Sequence, residues 1–276
     1  MNSDIVIVSA ARAPMGAFQG ALSSVTAPDL GATVIKAVIA RSGVDKDQID
    51  EVLMGNVLSA GVGQAPARQA AINAGLSQAT SATTIGKVCG SGMKSVMLAF
   101  DQIKAGSIEL AIAGGMENMS LAPYFLPNAR AGQRLGHGEI VYHMFYDGLQ
   151  NAYDGQLMGC FADANSIADK ITREHMDDYA IESLKRAQLA TSRGYFDDEI
   201  SPVTYQTRKG DITVNTDESP QKAVIEKIPT LRPAFGKDGL VTAANASSIS
   251  DGAAALMVMS AAKAKSLNLT PLAVIK

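Results

Sequence analysis

The chain has 276 residues, with 24 basic and 27 acidic side chains, a formal net charge of −3, and only 18% of its residues charged. This balance excludes the strongly basic surface typical of proteins that bind nucleic acid or membrane surfaces, and no apolar run reaches the ~18 residues of a membrane-spanning helix. The N-terminal segment carries no basic leader of the secretory kind, and two cysteines are too few for a disulfide scaffold. We therefore expect a cytoplasmic protein with reduced thiols that binds neither nucleic acid nor membrane.

The first 118 residues alternate apolar, β-branched runs with segments of helical periodicity. The apolar runs predict strands over Asp4–Ser9, Ile49–Val57, Thr83–Val88 and Ile108–Met116. The segments between them predict helices, each followed by a glycine that can end it, over Leu30–Ile39, Pro66–Asn73 and Cys89–Lys104. Because helices alternate with largely apolar strands, the pattern predicts an α/β fold in which helices cover both faces of a β-sheet.

The pattern changes after Asn118. Residues 120–154 mix Pro, Gly, His, Tyr and Arg without periodicity, which predicts a long irregular excursion. The elements expected after it are a helix over about Met176–Arg193, strands and turns over 200–240, a buried strand after Gly252, a helix over Ala261–Leu267 capped by Ser260, and a strand over Leu272–Ile275.

Cys89 is the strongest candidate for a reactive side chain. It stands in the sequence Lys87-Val-Cys-Gly-Ser-Gly-Met-Lys94, where the third predicted strand gives way to a helix. A thiol on the first turn of a helix faces the positive end of the helix dipole, which favours thiolate, the nucleophilic form. The neighbouring glycines leave room for a bulky electrophile, and backbone N–H groups there are placed to stabilise an oxyanion.

Two other interpretations apply to this segment. A buried, inert cysteine is the structural alternative, since free cysteines are commonly packed as small apolar side chains. A phosphate-binding loop is not favoured, because the segment has neither the Gly-x-x-x-x-Gly-Lys-Ser/Thr nor the Gly-x-Gly-x-x-Gly spacing.

Three separated motifs resemble those of the thiolase family. The segment Val88–Lys94 is similar to the acyl-acceptor cysteine motif, Ala113–Ser120 to the segment by which thiolases leave their N-terminal domain, and Asn245–Ala255 to the segment by which they return to it. Further matches follow the family order at Ile5–Pro14, Lys209–Thr213 and Leu231–Phe235. The resemblance therefore covers essentially the whole chain.

The resemblance implies acyl transfer between thiols through a cysteine acyl-enzyme, with Cys89 as the catalytic residue. Cys89 would take the acyl group from acyl-CoA, and CoA or an acetyl-CoA carbanion would then react with the acyl-enzyme. In one direction two acetyl-CoA condense to acetoacetyl-CoA, and in the other a 3-ketoacyl-CoA is cleaved. Acyl-CoA and CoA are substrates in this scheme, and neither a cofactor nor a metal is expected.

The thiolase fold pairs two similar α/β halves, each a mixed β-sheet covered by helices, with a loop domain inserted in the first. The resemblance implies that residues 1–118 plus 250–268 form the N-terminal half, 119–249 the inserted loop domain, and 269–276 the start of a missing C-terminal half. Residues 120–140 would supply tetramer contacts, so a homodimer or homotetramer is expected. The family's Gly-His-Pro histidine, its Asn-Glu-Ala-Phe segment and its second catalytic cysteine have no match here. This predicts that the chain alone is inactive or nearly so.

The resemblance also assigns six substrate-binding residues. The matched positions are Leu149 beside the adenine end of CoA, Met158 near the acyl group, Lys222 toward the nucleotide, Phe235 and Ala243 along the tunnel, and Ser247 on the pantetheine arm. For each position a surface or packing role is the structural alternative.

Two positions depart from the family pattern. Leu157 replaces the histidine that many acetoacetyl-CoA-forming relatives carry before Met-Gly, which leaves the acyl-chain preference open. Gly86 replaces a polar residue ahead of the cysteine. The remaining histidines and the second cysteine match no catalytic motif, and packing or solvent-exposed roles are expected for His137, His143, His175 and Cys160.

Four alternatives stay open from the sequence. One is a 3-ketoacyl-CoA thiolase of broader chain length, and another is a β-ketoacyl synthase, against which the two domain-border motifs argue. The others are a non-catalytic CoA- or lipid-binding relative and a structural assembly partner that binds no CoA. The enzymes predict an acyl group on Cys89, whereas the last two predict none.

Overall fold

The computed structural model describes residues 4–276, so the first three residues of the expected N-terminal half lie outside it. The strands are β1 Ile5–Arg12, β2 Gly16–Ala17, β3 Glu51–Gly55, β4 Ser81–Ile85, β5 Leu110–Asn118, β6 Tyr124–Phe125, β7 Val141–Tyr142, β8 Val203–Thr207, β9 Gly210–Val214, β10 Ser250–Ser260 and β11 Ala273–Ile275. The α-helices are α1 Ala27–Ser42, α2 Pro66–Asn73, α3 Ser91–Ala105, α4 Met158–Ala168, α5 Arg173–Ser192, α6 Glu218–Lys222 and α7 Ala261–Ser266.

The described chain divides into two compact units. The first takes the described residues up to Leu121 together with Asp197–Thr216 and Ser250–Lys276, and the second takes Ala122–Phe196 and Asp217–Ile249. Most of the range expected as an insertion thus forms a unit of its own, but the β8–β9 hairpin packs with the first unit.

Long-range hydrogen bonds explain the position of this hairpin and of the residues that precede it. The Arg41 guanidinium donates to the carbonyls of Glu199 and Ile200, each at 3.2 Å, and the Tyr205 hydroxyl donates to the Ala21 carbonyl at 2.7 Å. These partners are separated by more than 150 residues, so no local sequence pattern indicates them.

The first unit is built on one mixed sheet with the strand order β11-β1-β10-β5-β3-β4, to which β2 is added beside β10. β10 runs antiparallel to both of its long neighbours, β1 and β5. β3 runs parallel to β4 and β5, as expected where helices connect the strands. The mixed sheet implied by the family resemblance is confirmed. β11, which falls in the range expected to begin a second half, pairs antiparallel with β1 at the edge of this sheet.

Helices cover both faces of this sheet because consecutive strand residues point to opposite sides. On one face, Ile112 and Met257 are fully buried in the same cluster as Leu30 and Val34 of α1. On the other face, α3 contributes Ala99 and Ile103 to a second cluster, which also contains Ile5, Leu53, Ala111, Ala113 and Val258. The predicted layering is confirmed.

α1 extends three residues beyond the predicted Leu30–Ile39 at each end, because it starts from a cap at Thr26 that was not predicted. α1 begins after Thr26, whose hydroxyl accepts from the Asp29 N–H at 3.3 Å, and ends at Gly43, which has a φ of +66°. α2 has the predicted bounds. α7 is capped as expected by Ser260, whose hydroxyl accepts from the Lys263 N–H at 3.1 Å. The strands match their predictions within a few residues.

The second unit contains α4, α5, α6 and the short β6–β7 hairpin. Ring stacking supports this hairpin, with the centroids of Tyr124 and Tyr142 4.4 Å apart. The irregular excursion predicted for 120–154 therefore contains some regular structure, while α4 was not predicted at all. Throughout residues 4–276, no helix combines the length and the apolar character required to cross a bilayer.

Candidate active site

Cys89 lies in the tight turn that joins β4 to α3. Its thiol is free and its side chain is exposed. The residue before it, Val88, has a φ of +44° and is itself 53% exposed. β-branched residues rarely adopt this left-handed conformation, so the turn carries local strain immediately before the thiol.

The side chain of Ser91 holds this turn together. Its hydroxyl accepts from the Lys87 N–H at 2.8 Å and donates to the Val88 carbonyl at 2.7 Å. Backbone bonds close the same turn, with the Gly90 N–H donating to the Lys87 carbonyl at 3.0 Å. The strained backbone around Cys89 is therefore fixed by several hydrogen bonds.

The helix begins later than the sequence predicted. α3 starts at Ser91, with Gly90 in the capping position and no side-chain cap, so Cys89 precedes the helix instead of standing in its first turn. The prediction of a helix starting at Cys89 is wrong by two residues, because the hydrogen-bonded turn at Lys87–Ser91 takes up the beginning of the segment. The positive end of the α3 dipole nevertheless adjoins the thiol-bearing turn.

Glycines allow the start of α3 to sit directly on the sheet. A Cβ atom on Gly55 would lie 2.7 Å from the Ser91 Cβ and 2.8 Å from the Gly92 nitrogen. A Cβ atom on Gly92 would stand 3.7 Å from the backbone of Gly114. Side chains at Gly55 would force the helix away from β3, so the position of Cys89 depends on these small residues.

The segments that resemble the family's two domain-border motifs pair with each other in the first unit. Ala113–Ser120 includes most of β5, and the 250–255 part of the other motif forms the first half of β10, with Asp251 paired to Asn118. At the end of this pairing, the Asp251 carboxylate accepts from the Ser120 N–H at 3.0 Å and from its hydroxyl at 2.6 Å.

Glu117, on β5 within the same motif, was not singled out by the sequence. Its carboxylate accepts from the Asn56 side chain at 2.7 Å and from the Val57 N–H at 2.8 Å. It thereby fixes the loop that follows β3. An acidic residue inside an otherwise apolar strand was the available signal for such a role.

Three of the candidate substrate-binding residues, Met158, Phe235 and Leu149, lie in the second unit, near the start of α4. Met158, the first residue of this helix, is 48% exposed. The Phe235 ring rests on Gly159, where a Cβ atom would be only 2.2 Å from the ring. Leu149 precedes Gln150, which pairs with Leu157 at the start of the same helix in an isolated antiparallel bridge.

Ala243 and Ser247 lie on one loop of the second unit, and both are exposed. Between them, the Asn245 side-chain oxygen accepts from the Thr242 N–H at 2.7 Å. Thr242 is fully buried and its carbonyl accepts from the Ala246 N–H at 3.0 Å. The loop therefore presents two small exposed residues on an internally bonded framework.

Lys222 differs from the other candidates in its surroundings. It ion-pairs with Glu218 of its own helix, α6. That helix is anchored to α5 through Gln188, whose side-chain amide donates to the Pro220 carbonyl at 2.9 Å. Lys222 remains exposed, and its assignment toward the nucleotide stays a prediction.

Comparison with known proteins decides the family. The thiolase N-terminal domain model matches residues 5–262. The chain is 53% identical over 276 residues to an acetyl-CoA acetyltransferase of Cupriavidus necator, covering 99% of this chain and 70% of that protein. It is 49% identical over 274 residues to one of Pseudomonas aeruginosa and 50% identical over 273 residues to one of Escherichia coli, each match covering 98% of this chain and 69% of the relative. The chain belongs to the thiolase family.

The histidines of this thiolase occupy three different settings. His143 is buried, and its Nδ1 lies 2.5 Å from a carboxylate oxygen of Asp147. His137 is exposed in the excursion. His175 lies in the first turn of α5, not before the helix as the sequence suggested. Their packing and solvent-exposed roles stay predictions.

Cys160 of the thiolase packs in α4, and its thiol faces the Phe235 carbonyl at 3.9 Å. Leu157, the departure from the family pattern, stands in the capping position of the same helix and makes no side-chain cap bond. Among residues 4–276, no group of three or more His, Cys, Asp or Glu side chains is arranged to hold a metal ion.

Proposed function

We propose that this thiolase transfers acyl groups between thiols through an acyl-enzyme on Cys89, acting on acetyl-CoA and acetoacetyl-CoA. The observation that carries the proposal is the exposed thiol of Cys89 on a turn held by Ser91, within a chain 53% identical to an acetyl-CoA acetyltransferase. An exposed thiol at a fixed backbone position suits a nucleophile better than a packing residue.

The first chemical step is thioester exchange. The Cys89 thiolate attacks the carbonyl carbon of acetyl-CoA, a new carbon–sulfur bond forms, and the CoA thiolate leaves and takes up a proton. One thioester replaces another, so the step costs little free energy. The start of α3 beside the turn favours the negative charge of the attacking thiolate.

The second step is carbon–carbon bond formation. A second acetyl-CoA loses a proton from its α-carbon to a base, and the resulting carbanion attacks the acetyl carbon on Cys89. The carbon–sulfur bond to the enzyme breaks, giving acetoacetyl-CoA and restoring the thiolate. We assign this base to none of the three histidines, and therefore propose that the 276-residue chain alone is inactive or nearly so in the complete reaction.

The substrates proposed are acyl-CoA and CoA, with no separate cofactor. Their contacts are assigned to the exposed or half-buried side chains of the second unit: Leu149, Met158, Lys222, Phe235, Ala243 and Ser247. The exposed positions of Ala243 and Ser247 on one ordered loop support this assignment, because a ligand-contacting residue has to be reachable.

The domain organisation forms part of the proposal. We assign residues 1–118 plus 250–268 to the N-terminal half, 119–249 to an inserted loop domain and 269–276 to the start of a second half. The apolar face of α3 supports a further covering element: Met93 is 73% exposed and Met97 50% exposed. Together with Phe100 and Ile275 they line a cavity of about 420 Å³. Exposing such an apolar surface to water is costly.

Self-association and a cytoplasmic location complete the proposal. A homodimer or homotetramer would use residues 120–140, where Leu126 and Leu135 are exposed, the latter completely. The free thiols of Cys89 and Cys160 fit a reducing compartment.

Mass spectrometry of the intact chain after incubation with acetyl-CoA tests the proposed function. We expect a single acetyl group on Cys89, its loss in Cys89→Ser and its retention in Cys160→Ser, the matched control. CoA binding without acetylation would instead support a non-catalytic relative, and absence of both would support a structural assembly partner.

A further inference from the structure

Two buried carboxylates hold the loop that carries Ala243, and each comes from a different helix. Asp163 of α4 is only 8% exposed. One of its carboxylate oxygens accepts from the Leu240 N–H at 2.7 Å and from the Val241 N–H at 2.8 Å. The contact is close enough that a Cβ atom on Gly239 would lie 2.5 Å from the other carboxylate oxygen.

The second carboxylate belongs to Asp177 of α5, which is 5% exposed. One oxygen accepts from the Asn245 side-chain amide at 3.0 Å, and the other accepts from the Arg173 guanidinium at 2.7 Å. The same guanidinium donates to the Leu231 carbonyl at 3.0 Å. Asp177 thus connects the loop around Asn245 with the segment that leads to Phe235.

These bonds fix the loop from outside its own sequence, in addition to the bonds within it. Transferring a carboxylate out of water is costly unless its oxygens accept hydrogen bonds, and any loop conformation that withdraws the donors leaves that cost uncompensated. The amide of Asn245 is shared between Asp177 and the Leu240 carbonyl, at 3.0 and 3.3 Å. The segment from Leu240 to Asn245 is therefore bonded to Asp163 at one end and to Asp177 at the other. Ala243 lies exposed between these two ends.

We propose that Asp163 and Asp177 are positioning residues that hold the loop 240–247 in the shape that receives the pantetheine arm of acyl-CoA. The inference rests on the proposed function, in which Ala243 and Ser247 contact CoA. Neither aspartate touches the substrate; each acts through the loop N–H groups that donate to its carboxylate. Preorganising the loop before the ligand arrives removes an ordering cost from binding.

Equilibrium binding of CoA to the 276-residue chain, measured by calorimetry, tests the inference. We expect Asp163→Asn and Asp177→Asn to raise the dissociation constant for CoA by about tenfold, which corresponds to about 1.4 kcal/mol. Asp178→Asn, an exposed neighbour on α5, is the matched control and should leave the constant unchanged. Alkylation of Cys89 by iodoacetamide should proceed at the wild-type rate in all three variants, because the turn around Cys89 is held by Ser91.

Asn245→Ala provides a second variant if either aspartate variant fails to fold, since it leaves the Arg173–Asp177 ion pair in place and removes only bonds of the loop. If Asp177 acts through Asn245, the double variant Asp177→Asn, Asn245→Ala should bind CoA no more weakly than the weaker-binding single variant. Fully additive losses would indicate a purely structural role and overturn the inference.

Two outcomes separate the inference from the function on which it rests. Wild-type protein that binds CoA, together with folded variants of unchanged affinity, overturns the positioning role alone. Wild-type protein that neither binds CoA nor acquires an acetyl group on Cys89 overturns both.

Discussion

The Ser91 hydroxyl donates to the carbonyl of Val88 at 2.7 Å, so the residue that opens α3 holds the residue that precedes the thiol. Val88 has a φ of +44°, a conformation that its branched side chain disfavours. The same hydroxyl accepts from the Lys87 N–H. Cys89 therefore stands on a strained backbone to which one buried side chain contributes two hydrogen bonds, and removing that side chain is expected to let the turn relax.

Ser91→Ala tests this expectation. Removing the hydroxyl takes the acceptor from the Lys87 N–H and leaves the Val88 carbonyl with only its bond from the Ser91 N–H, which should lower the free energy of unfolding by about 1 kcal/mol. The relaxed turn should also slow alkylation of Cys89 by iodoacetamide several-fold. Urea denaturation and the alkylation rate at fixed pH measure the two effects.

Ser95→Ala is the matched control for this variant. Ser95 lies one turn further along α3, is fully buried and donates to the Ser91 carbonyl at 3.0 Å. Its removal should alter stability without changing the alkylation rate. Equal alkylation rates in Ser91→Ala and the wild type would contradict the role given to Ser91.

Gly114→Ala should be strongly destabilising, whereas Gly115→Ala should be tolerated. A Cβ atom on Gly114 would lie 2.0 Å from the Ala254 carbonyl oxygen, so β5 and β10 would have to separate. On Gly115 the nearest atom, the Gly92 Cα, is 3.4 Å away. We expect losses of about 3 kcal/mol and under about 1 kcal/mol, respectively, in urea unfolding. Similar losses in the two variants would show that the β5–β10 contact does not set the requirement for glycine.

Much of the first unit was predictable because its signals are local. The alternation of faces along Leu110–Ala113, the cap at Ser260 and the stop at Gly43 each depend on a few neighbouring residues. Cys89 and the motif around it were also recognisable from sequence. The start of α3 was predicted two residues too early, because residues that form a hydrogen-bonded turn before a helix have the same sequence pattern as a first helical turn.

The second unit was harder to predict because its order comes from distant contacts. α4 contains Gly, Asn and Ser and lacks a side-chain cap, so its helical signal is weak. Asp163 contacts residues 77 and 78 positions later in the chain. The single charge within the apolar stretch Met158–Ala168 was the available indication that this side chain is buried and bonded.

Leu157→His tests the basis of acyl-chain preference. Leu157 immediately precedes Met158 and is half-buried, so it offers apolar surface beside the residue assigned to the acyl group. Each buried CH₂ group of an acyl chain gains about 0.8 kcal/mol from apolar contact. We expect histidine to lower the rate of Cys89 acylation by butyryl-CoA several-fold relative to acetyl-CoA. Mass spectrometry over time gives both rates, and an unchanged ratio would remove Leu157 from the specificity determinants.

Gly159→Ala tests the placement of Phe235 over α4. A Cβ atom at residue 159 would lie 2.2 Å from the Phe235 ring, and the ring would have to turn away from the helix. Because Phe235 is half-buried and can rotate, the free energy of unfolding should fall by no more than about 1 kcal/mol, while the dissociation constant for CoA should rise several-fold. Gly236→Ala is the control, since a Cβ atom there meets nothing within 4 Å. Calorimetry with CoA distinguishes the two variants, and equal affinities would mean that the Phe235 ring does not contact the ligand.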